Sequence, residues 1–347
     1  MPSVQEKDVI RTIRRVKDPD SDKDLISLGR IKELKIRDGE VTFKVLVDPA
    51  RPLSESVLKE LKVIIGEMEG VEEVAISLQE HTSKAQAPAK QPAPQQPIPG
   101  VRHIIAVASG KGGVGKSTVA VNLALAIAAE GHRTGLLDAD IYGPSIPTMM
   151  GLRGAQPTAV DKRIQPIARY GIALMSLGFL VQEDQPMVWR GPMVHSAVTQ
   201  FLREVDWGQL DYLVVDLPPG TGDAHLTLTQ AVPLDGAVIV TTPQEIALID
   251  AKKGLKMFDK VGARILGIVE NMGSFVCPGC GAEHPIFGAG GGRATAERFG
   301  VPFLGTIPLS VEVTPTGDRG EPIVHGAPDS PIAERFREIA RRILAST

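Results

Sequence analysis

Apolar positions in residues 1–81 follow two different periods. Val9, Ile10, Ile13 and Val16 recur at helical spacing, and Asp18-Pro19 closes that helix because proline cannot extend it. Residues 30–37 and 40–48 read as strands joined by Asp38-Gly39, a dipeptide suited to a tight hairpin turn. Leu53, Val57, Leu58, Leu61, Ile64, Ile65 and Met68 then stripe a second helix ended by Gly70, and residues 71–78 supply a last strand. The predicted order is α-β-β-α-β, a small α/β domain over residues 1–81.

The pattern stops at residues 82–100, TSKAQAPAKQPAPQQPIPG. Five prolines, few charges and one large apolar residue, Ile98, leave this segment little surface to bury, so a proline-rich linker is expected. In polyproline II form it would reach up to roughly 60 Å, at ~3.1 Å per residue. From 101 to 347 strand and helix patterns alternate. Strands are predicted at residues 103–109, 134–138, 172–177, 212–216, 237–241, 265–270 and 303–307. Several are unbroken apolar runs, as in a parallel sheet covered by helices on both faces. The predicted fold class is α/β, with a doubly wound, mostly parallel sheet in this larger domain.

The loop after the first of these strands carries the clearest chemistry. Residues 110–118 read Gly110, Lys111, Gly112, Gly113, Val114, Gly115, Lys116, Ser117 and Thr118, which satisfies G-x-x-x-x-G-K-[ST] between a strand and a helix. Glycines let such a loop wrap phosphate with its backbone N–H groups, and the helix that follows adds the positive end of its dipole. The expected ligand is ATP with Mg²⁺: Lys116 reaches the β- and γ-phosphates, and Ser117 ligates the ion. Asp216 ends the apolar run YLVVD, where a carboxylate near the magnesium shell is expected. Asp140 follows the strand TGLLD and is a candidate to orient the attacking water. Asp138 is a second candidate in the same turn, and strand-end or capping roles compete for each of these aspartates.

Cysteine usage adds a second centre. The chain has two cysteines, Cys277 and Cys280, spaced C-x-x-C within CPGCG. In a reducing compartment this spacing points to metal binding or redox chemistry. Thiolates suit zinc and iron–sulfur clusters alike, and His284 lies near in sequence. Either centre wants about four ligands, so two chains related by a two-fold axis would supply a complete set.

Composition narrows the setting. The net charge of −3 argues against a protein whose main partner is nucleic acid. The N-terminal MPSVQEKD has no apolar signal core, and the most apolar stretch, residues 119–129, is too short to span a bilayer and contains Asn122. A cytoplasmic location without stable membrane association is expected. The C-terminal stripe of Ile332, Phe336, Ile339 and Ile343, flanked by arginines, leaves a membrane-surface helix as the alternative.

The extra Lys111 inside GKGGVGKST resembles the deviant Walker A loop of the MinD, ParA and nitrogenase iron protein superfamily. With LLDADIYGPSIP, VWRGPMV, WGQLDYLVVDLPPGTGD and ENMGSFVCPGCG it closely resembles the Mrp/ApbC iron–sulfur cluster carriers, from about residue 101 onward. The resemblance implies a homodimer in which Lys111 reaches the partner's nucleotide and Asn271 recognises adenine. It also implies a [4Fe–4S] cluster bridged by Cys277 and Cys280 of two chains, ATP hydrolysis, and cluster transfer among assembly factors and apoproteins. VKDPDSDKDLISLG and the stretch around Glu69-Gly70-Val71 resemble the small domain of cluster-assembly factors, yet Arg51 stands where that family often carries a cysteine. Cluster ligation is therefore not expected of the small domain. The rival readings are a MinD- or ParA-like positioning ATPase, which leaves CPGC unexplained, and a zinc-stapled metallochaperone ATPase.

Overall fold

The valine- and isoleucine-rich runs of the larger domain become parallel strands buried on both faces. The computed structural model describes residues 4–18, 24–37, 39–47, 55–80, 95–140, 143–179, 191–220 and 223–347. Pro19, Asp38, Arg51 and Leu53, and residues 82–94 of the expected linker, lie outside them. The chain forms two compact units, Met1–Gln91 and Pro92–Thr347.

In the first unit, α1 (Glu6–Ile13), β1 (Ile31–Arg37), β2 (Glu40–Val47), α2 (Glu55–Gly66) and β3 (Glu73–Glu80) follow the predicted order. β2 is central, antiparallel to β1 and parallel to β3. Its alternating Val41, Phe43 and Val45 meet Val9 and Ile13 of α1 and Val57, Leu61 and Ile65 of α2 in one core. The period-2 and helical patterns thus converge on a single apolar layer.

The second unit runs β4 (Val101–Ser109), α3 (Lys116–Ala129), β5 (Thr134–Asp138) and α4 (Ile146–Met149). Next come a small hairpin, β6 (Ala159–Val160) with β7 (Arg163–Ile164), then β8 (Ile167–Arg169), β9 (Ile172–Ser176) and α5 (Gly191–Glu204). β10 (Leu210–Asp216), α6 (Asp223–Ala231), β11 (Gly236–Thr241) and α7 (Glu245–Lys260) continue the alternation. β12 (Ile265–Val276), β13 (Glu283–His284), α8 (Gly291–Phe299), β14 (Phe303–Leu309), α9 (Val313–Asp318), α10 (Ile323–Gly326) and α11 (Pro331–Leu344) complete it.

Among the described residues the sheet has nine strands. The order β14-β12-β11-β4-β10-β5-β9 is parallel throughout, while β13 and β8 add antiparallel pairs to β12 and β9. From β4 the chain crosses to β5, and from β10 it returns to β11 on the other side. Such a reversal opens a crevice at the carboxyl ends of the strands, and both candidate centres lie at that edge. The predicted doubly wound class is borne out.

Helix α3 is apolar all round because it lies between the sheet and α11. Its one interior amide is satisfied: Asn122 Nδ2 donates to Thr118 O at 2.9 Å, and Asn122 Oδ1 accepts from Val324 N–H at 3.1 Å. α11 starts at Pro331, capped by Ser330 Oγ, which accepts the Ala333 N–H. Its stripe of Ile332, Phe336, Ile339 and Ile343 is buried against α3 and β14, so the stripe faces the chain's own core. Among the described residues no helix is long and apolar enough to cross a membrane.

Three expectations change. Helix α1 ends at Ile13, so Val16 joins the core from beyond the helix and Asp18-Pro19 is not what closes it. The end of the proline-rich segment is not a free linker: Ile98 is buried, Gln95 Nε2 donates to Thr229 O, and Gln96 N–H donates to Ala231 O. A lone isoleucine in a polar stretch finds a place in the core of the larger unit. β12 also runs to Val276 rather than residue 270, since pairing with β14 at Asn271 and with β14 and β13 from Phe275 onward extends it across an irregular step that the sequence pattern hid.

Candidate functional site

β4 ends at Ser109 and α3 starts at Lys116, with the glycine-rich loop between them. Gly115 adopts φ 77°, and a Cβ there would sit 2.2 Å from Asn271 Nδ2. Gly110 is required for a different reason. A Cβ would fall 2.1 Å from the backbone carbon of Asp250, because α7 packs directly on the loop's first residue. Lys111 is exposed, while Val114 is buried and turns its carbonyl to Asn271 Nδ2 at 2.8 Å.

Lys116 is 6% exposed. Its Nζ lies 2.5 Å from Asp216 Oδ1, 3.3 Å from Ser117 Oγ and 3.8 Å from Asp140 Oδ2. Burial pushes the Asp216 carboxyl up, opposed by the Lys116 amine. Asp216 Oδ2 is buried with no hydrogen-bond partner, so Ser117 Oγ and this carboxylate form an oxygen-donor pair that fits a magnesium ion. Asp138 sits opposite Asp216 in the sheet register and is wholly buried. Its Oδ1 accepts the Asp140 N–H at 3.1 Å and its Oδ2 the Ser176 hydroxyl at 2.8 Å. Burial first, and the Asp216 charge second, push the Asp138 carboxyl up to about 8. Asp138 shapes the turn, and Asp140 faces the cleft.

That cleft is about 450 Å³ and is lined by Lys111, Gly112, Gly113, Gly115, Lys116, Ser117, Thr118 and Asp140. Sequence reasoning missed part of its wall: Ser145, Thr148 and Met149 at α4, Pro219 after β10, and Val313, Gly317 and Asp318 of α9. Ser145 and Pro219 fall inside GPSIP and DLPPG, so a motif did mark them. The α9 residues carry no such signal.

Cys277 and Cys280 occupy the tip of a hairpin between β12 and β13. Cys277 N–H donates to Ala282 O at 2.9 Å and Gly281 N–H returns to Cys277 O at 2.8 Å, closing a tight turn. The backbone N–H groups of Gly279 and then Cys280 aim at the Cys277 thiol and hold it below its ordinary range. Cys277 is half-buried and Cys280 exposed. Among the described residues no three His, Cys, Asp or Glu side chains group into a metal site, so His284 does not join the two cysteines.

Residues 100–344 match the family model described as NUBPL iron-transfer P-loop NTPase, and residues 6–78 match that of iron–sulfur cluster assembly proteins. The chain belongs to the NUBPL iron-transfer P-loop NTPase family. The iron–sulfur cluster carrier protein of Synechocystis is 46% identical over 342 residues, covering 96% of each chain. The mouse iron–sulfur cluster transfer protein NUBPL is 54% identical over 252 residues, covering 72% of this chain and 79% of its own. A solved nucleotide-binding protein from Archaeoglobus fulgidus, in complex with ADP, is 40% identical with a TM-score of 0.59, over 67% of this chain and 91% of that one. The cell division ATPase MinD of Pyrococcus furiosus, 24% identical with a TM-score of 0.53 over 71% of this chain and 99% of its own, shares the fold.

The resemblance read from the motifs is thus borne out. In this NUBPL-family chain the two centres are joined by one strand: β12 holds Asn271 against the phosphate loop and ends beside Cys277.

Proposed function

We propose that the chain is an ATP-hydrolysing carrier that holds a [4Fe–4S] cluster between two copies of itself and passes it to apoproteins. The observation that carries this reading is the Cys277–Cys280 pair, with N–H groups aimed at the Cys277 thiol, at the end of the strand that also grips the phosphate loop. Each chain offers two cysteines, so a four-thiolate site takes a homodimer. The cluster is the cargo. Assembly factors supply it and apoproteins receive it, and the small unit is the candidate surface for meeting them. A positioning ATPase that uses α11 to grip membranes is disfavoured by the burial of that stripe.

Nucleotide chemistry follows from the cleft. Phosphate oxygens compete with Asp216 for the Lys116 amine, while loop N–H groups and the α3 dipole hold the rest of the triphosphate. Magnesium, held by Ser117 and Asp216, would neutralise charge on the β- and γ-phosphates. Asp140 orients a water whose oxygen bonds to the γ-phosphorus as the β–γ bridging P–O bond breaks and ADP leaves. Lys111 contributes from the partner copy, and Asn271 serves the adenine side of the site. Anaerobic reconstitution with iron and sulfide, followed by metal analysis and mass in solution, tests the reading. One four-iron cluster per two chains is expected, and a full cluster on a monomer would defeat it.

A further inference from the structure

Two adjacent buried side chains stand between the centres on opposite faces of β12, since successive strand residues alternate. Asn271 holds the Val114 carbonyl. Its neighbour Glu270 is 2% exposed and accepts two backbone N–H groups, from Gly292 at 2.6 Å on Oε2 and from Gly290 at 3.3 Å on Oε1. Those groups open α8, whose N-cap position is Gly290 and has no side chain of its own to offer. Glu270 therefore serves as the cap, where helix N–H groups lack partners and the dipole favours a carboxylate.

Geometry makes this cap more than a local device. The chain leaves β12 at Val276, turns through Cys277 and Cys280, and comes back at Gly290–Gly292 onto Glu270 of the same strand. Glu270 thus fastens the return end of the cysteine excursion. The outgoing end is irregular: Met272 has φ 55°, a conformation side chains rarely adopt, and pairing with β14 slips between Asn271 and Phe275. Neighbouring contacts, rather than a regular ladder, set the path from the clip to Cys277.

We propose that Glu270 and Asn271 form a two-sided clip that carries a change in the phosphate loop to the cysteine turn, with Glu270 the positioning residue on the cysteine side. The inference rests on the carrier function proposed above. A shift of the loop at Val114 pulls on Asn271, and the adjoining Glu270 passes it to the base of the excursion.

Cys277 and Cys280 are the chain's only thiols, which gives a direct readout in the cluster-free, full-length protein. Iodoacetamide alkylation of each cysteine is followed by mass spectrometry with and without Mg·ATP, and ATP affinity is measured separately by calorimetry. In the wild type, Mg·ATP should change the alkylation rate of at least one cysteine by about fivefold or more, the lower end of ordinary coupling. In Glu270→Ala the two rates should agree within about twofold while the ATP dissociation constant moves less than about threefold. Glu270→Gln keeps a carbonyl oxygen for the Gly292 N–H and should retain most of the nucleotide effect. Gly292→Ala places a Cβ 3.0 Å from Glu270 Cβ and 3.1 Å from Oε2. It should reproduce the Glu270→Ala result, and it decides the matter should Glu270→Ala not fold. A wild type that binds Mg·ATP with no change in alkylation overturns the clip alone, as do variants that keep the full effect. A wild type that binds no ATP defeats the carrier reading and the clip with it.

Discussion

Lys116 Nζ lies 2.5 Å from Asp216 Oδ1, and both side chains are buried. One amine therefore serves two ends, neutralising a buried carboxylate and standing ready for phosphate. Lys116→Ala should abolish ATP binding and turnover and should also lower stability by about 3–5 kcal/mol, the usual result of stranding one partner of a buried pair. Lys116→Ala/Asp216→Asn should recover part of that stability without recovering turnover. Urea unfolding and a steady-state ATPase assay separate the effects. An unchanged urea midpoint would contradict the structural half, and near-normal turnover the chemical half.

Asp140 and Asp138 should part company on mutation. Asp140→Ala should bind Mg·ATP with little change yet lose roughly 10²–10⁴-fold in hydrolysis, the range for a positioned acid–base group. Asp138→Asn keeps an acceptor for the Ser176 hydroxyl or the Asp140 N–H, so its loss should be smaller. Single-turnover hydrolysis of both variants checks the order, and a reversed order would move the water-orienting role to Asp138.

Lys111 is exposed at the mouth of the cleft, and its side chain has none of the buried partners that Lys116 has. Lys111→Ala should therefore leave the urea midpoint within about 0.5 kcal/mol of wild type, as for most surface changes, while turnover falls. Normal hydrolysis by this variant would remove the cross-subunit role.

Cys277→Ser and Cys280→Ser should each lose the cluster and keep ATP affinity, because the thiols share no residue with the cleft. Iron and sulfide content after anaerobic reconstitution, beside calorimetric ATP binding, gives the test. Zinc at one ion per two chains with no iron-dependent absorbance would favour a structural metal instead. Lost ATP binding in both variants would give the CPGC turn a folding role.

Phe336 is 1% exposed in the layer between α11 and the sheet. Phe336→Ala should cost about 3–5 kcal/mol, as for other buried phenylalanines, and should leave vesicle binding unaltered. Denaturation with and without lipid vesicles measures both, and loss of vesicle binding without loss of stability would revive the membrane-surface helix.

Much of the fold and of the phosphate loop is legible in the sequence. Runs such as YLVVD and TGLLD announce buried parallel strands because both faces must be apolar, and β5 spans the residues its pattern indicated. GKGGVGKST placed its loop between strand and helix. What escaped notice depends on contacts that sequence does not display. Gly110 reads as a phosphate-loop glycine, yet the backbone of α7 also demands it. Asp138 and Asp140 look equivalent two residues apart, until register puts one against Asp216 and turns the other to the cleft. Asn271–Ser274 offers no strand pattern, because it is an irregular step, with Met272 at φ 55°, between two paired stretches of β12. The α9 wall reaches the cleft only through tertiary packing.

Two thiols in one exposed turn, with no third ligand grouped beside them among the described residues, tie cargo to population. On the reading proposed here each chain carries half a cage, so the loaded form obeys mass action: tenfold dilution of weakly paired chains leaves only about a tenth of the loaded complexes. Scarcity of the protein would then unload it, and a recipient that separates the two copies would gain the cargo without competing for all four sulfurs at once.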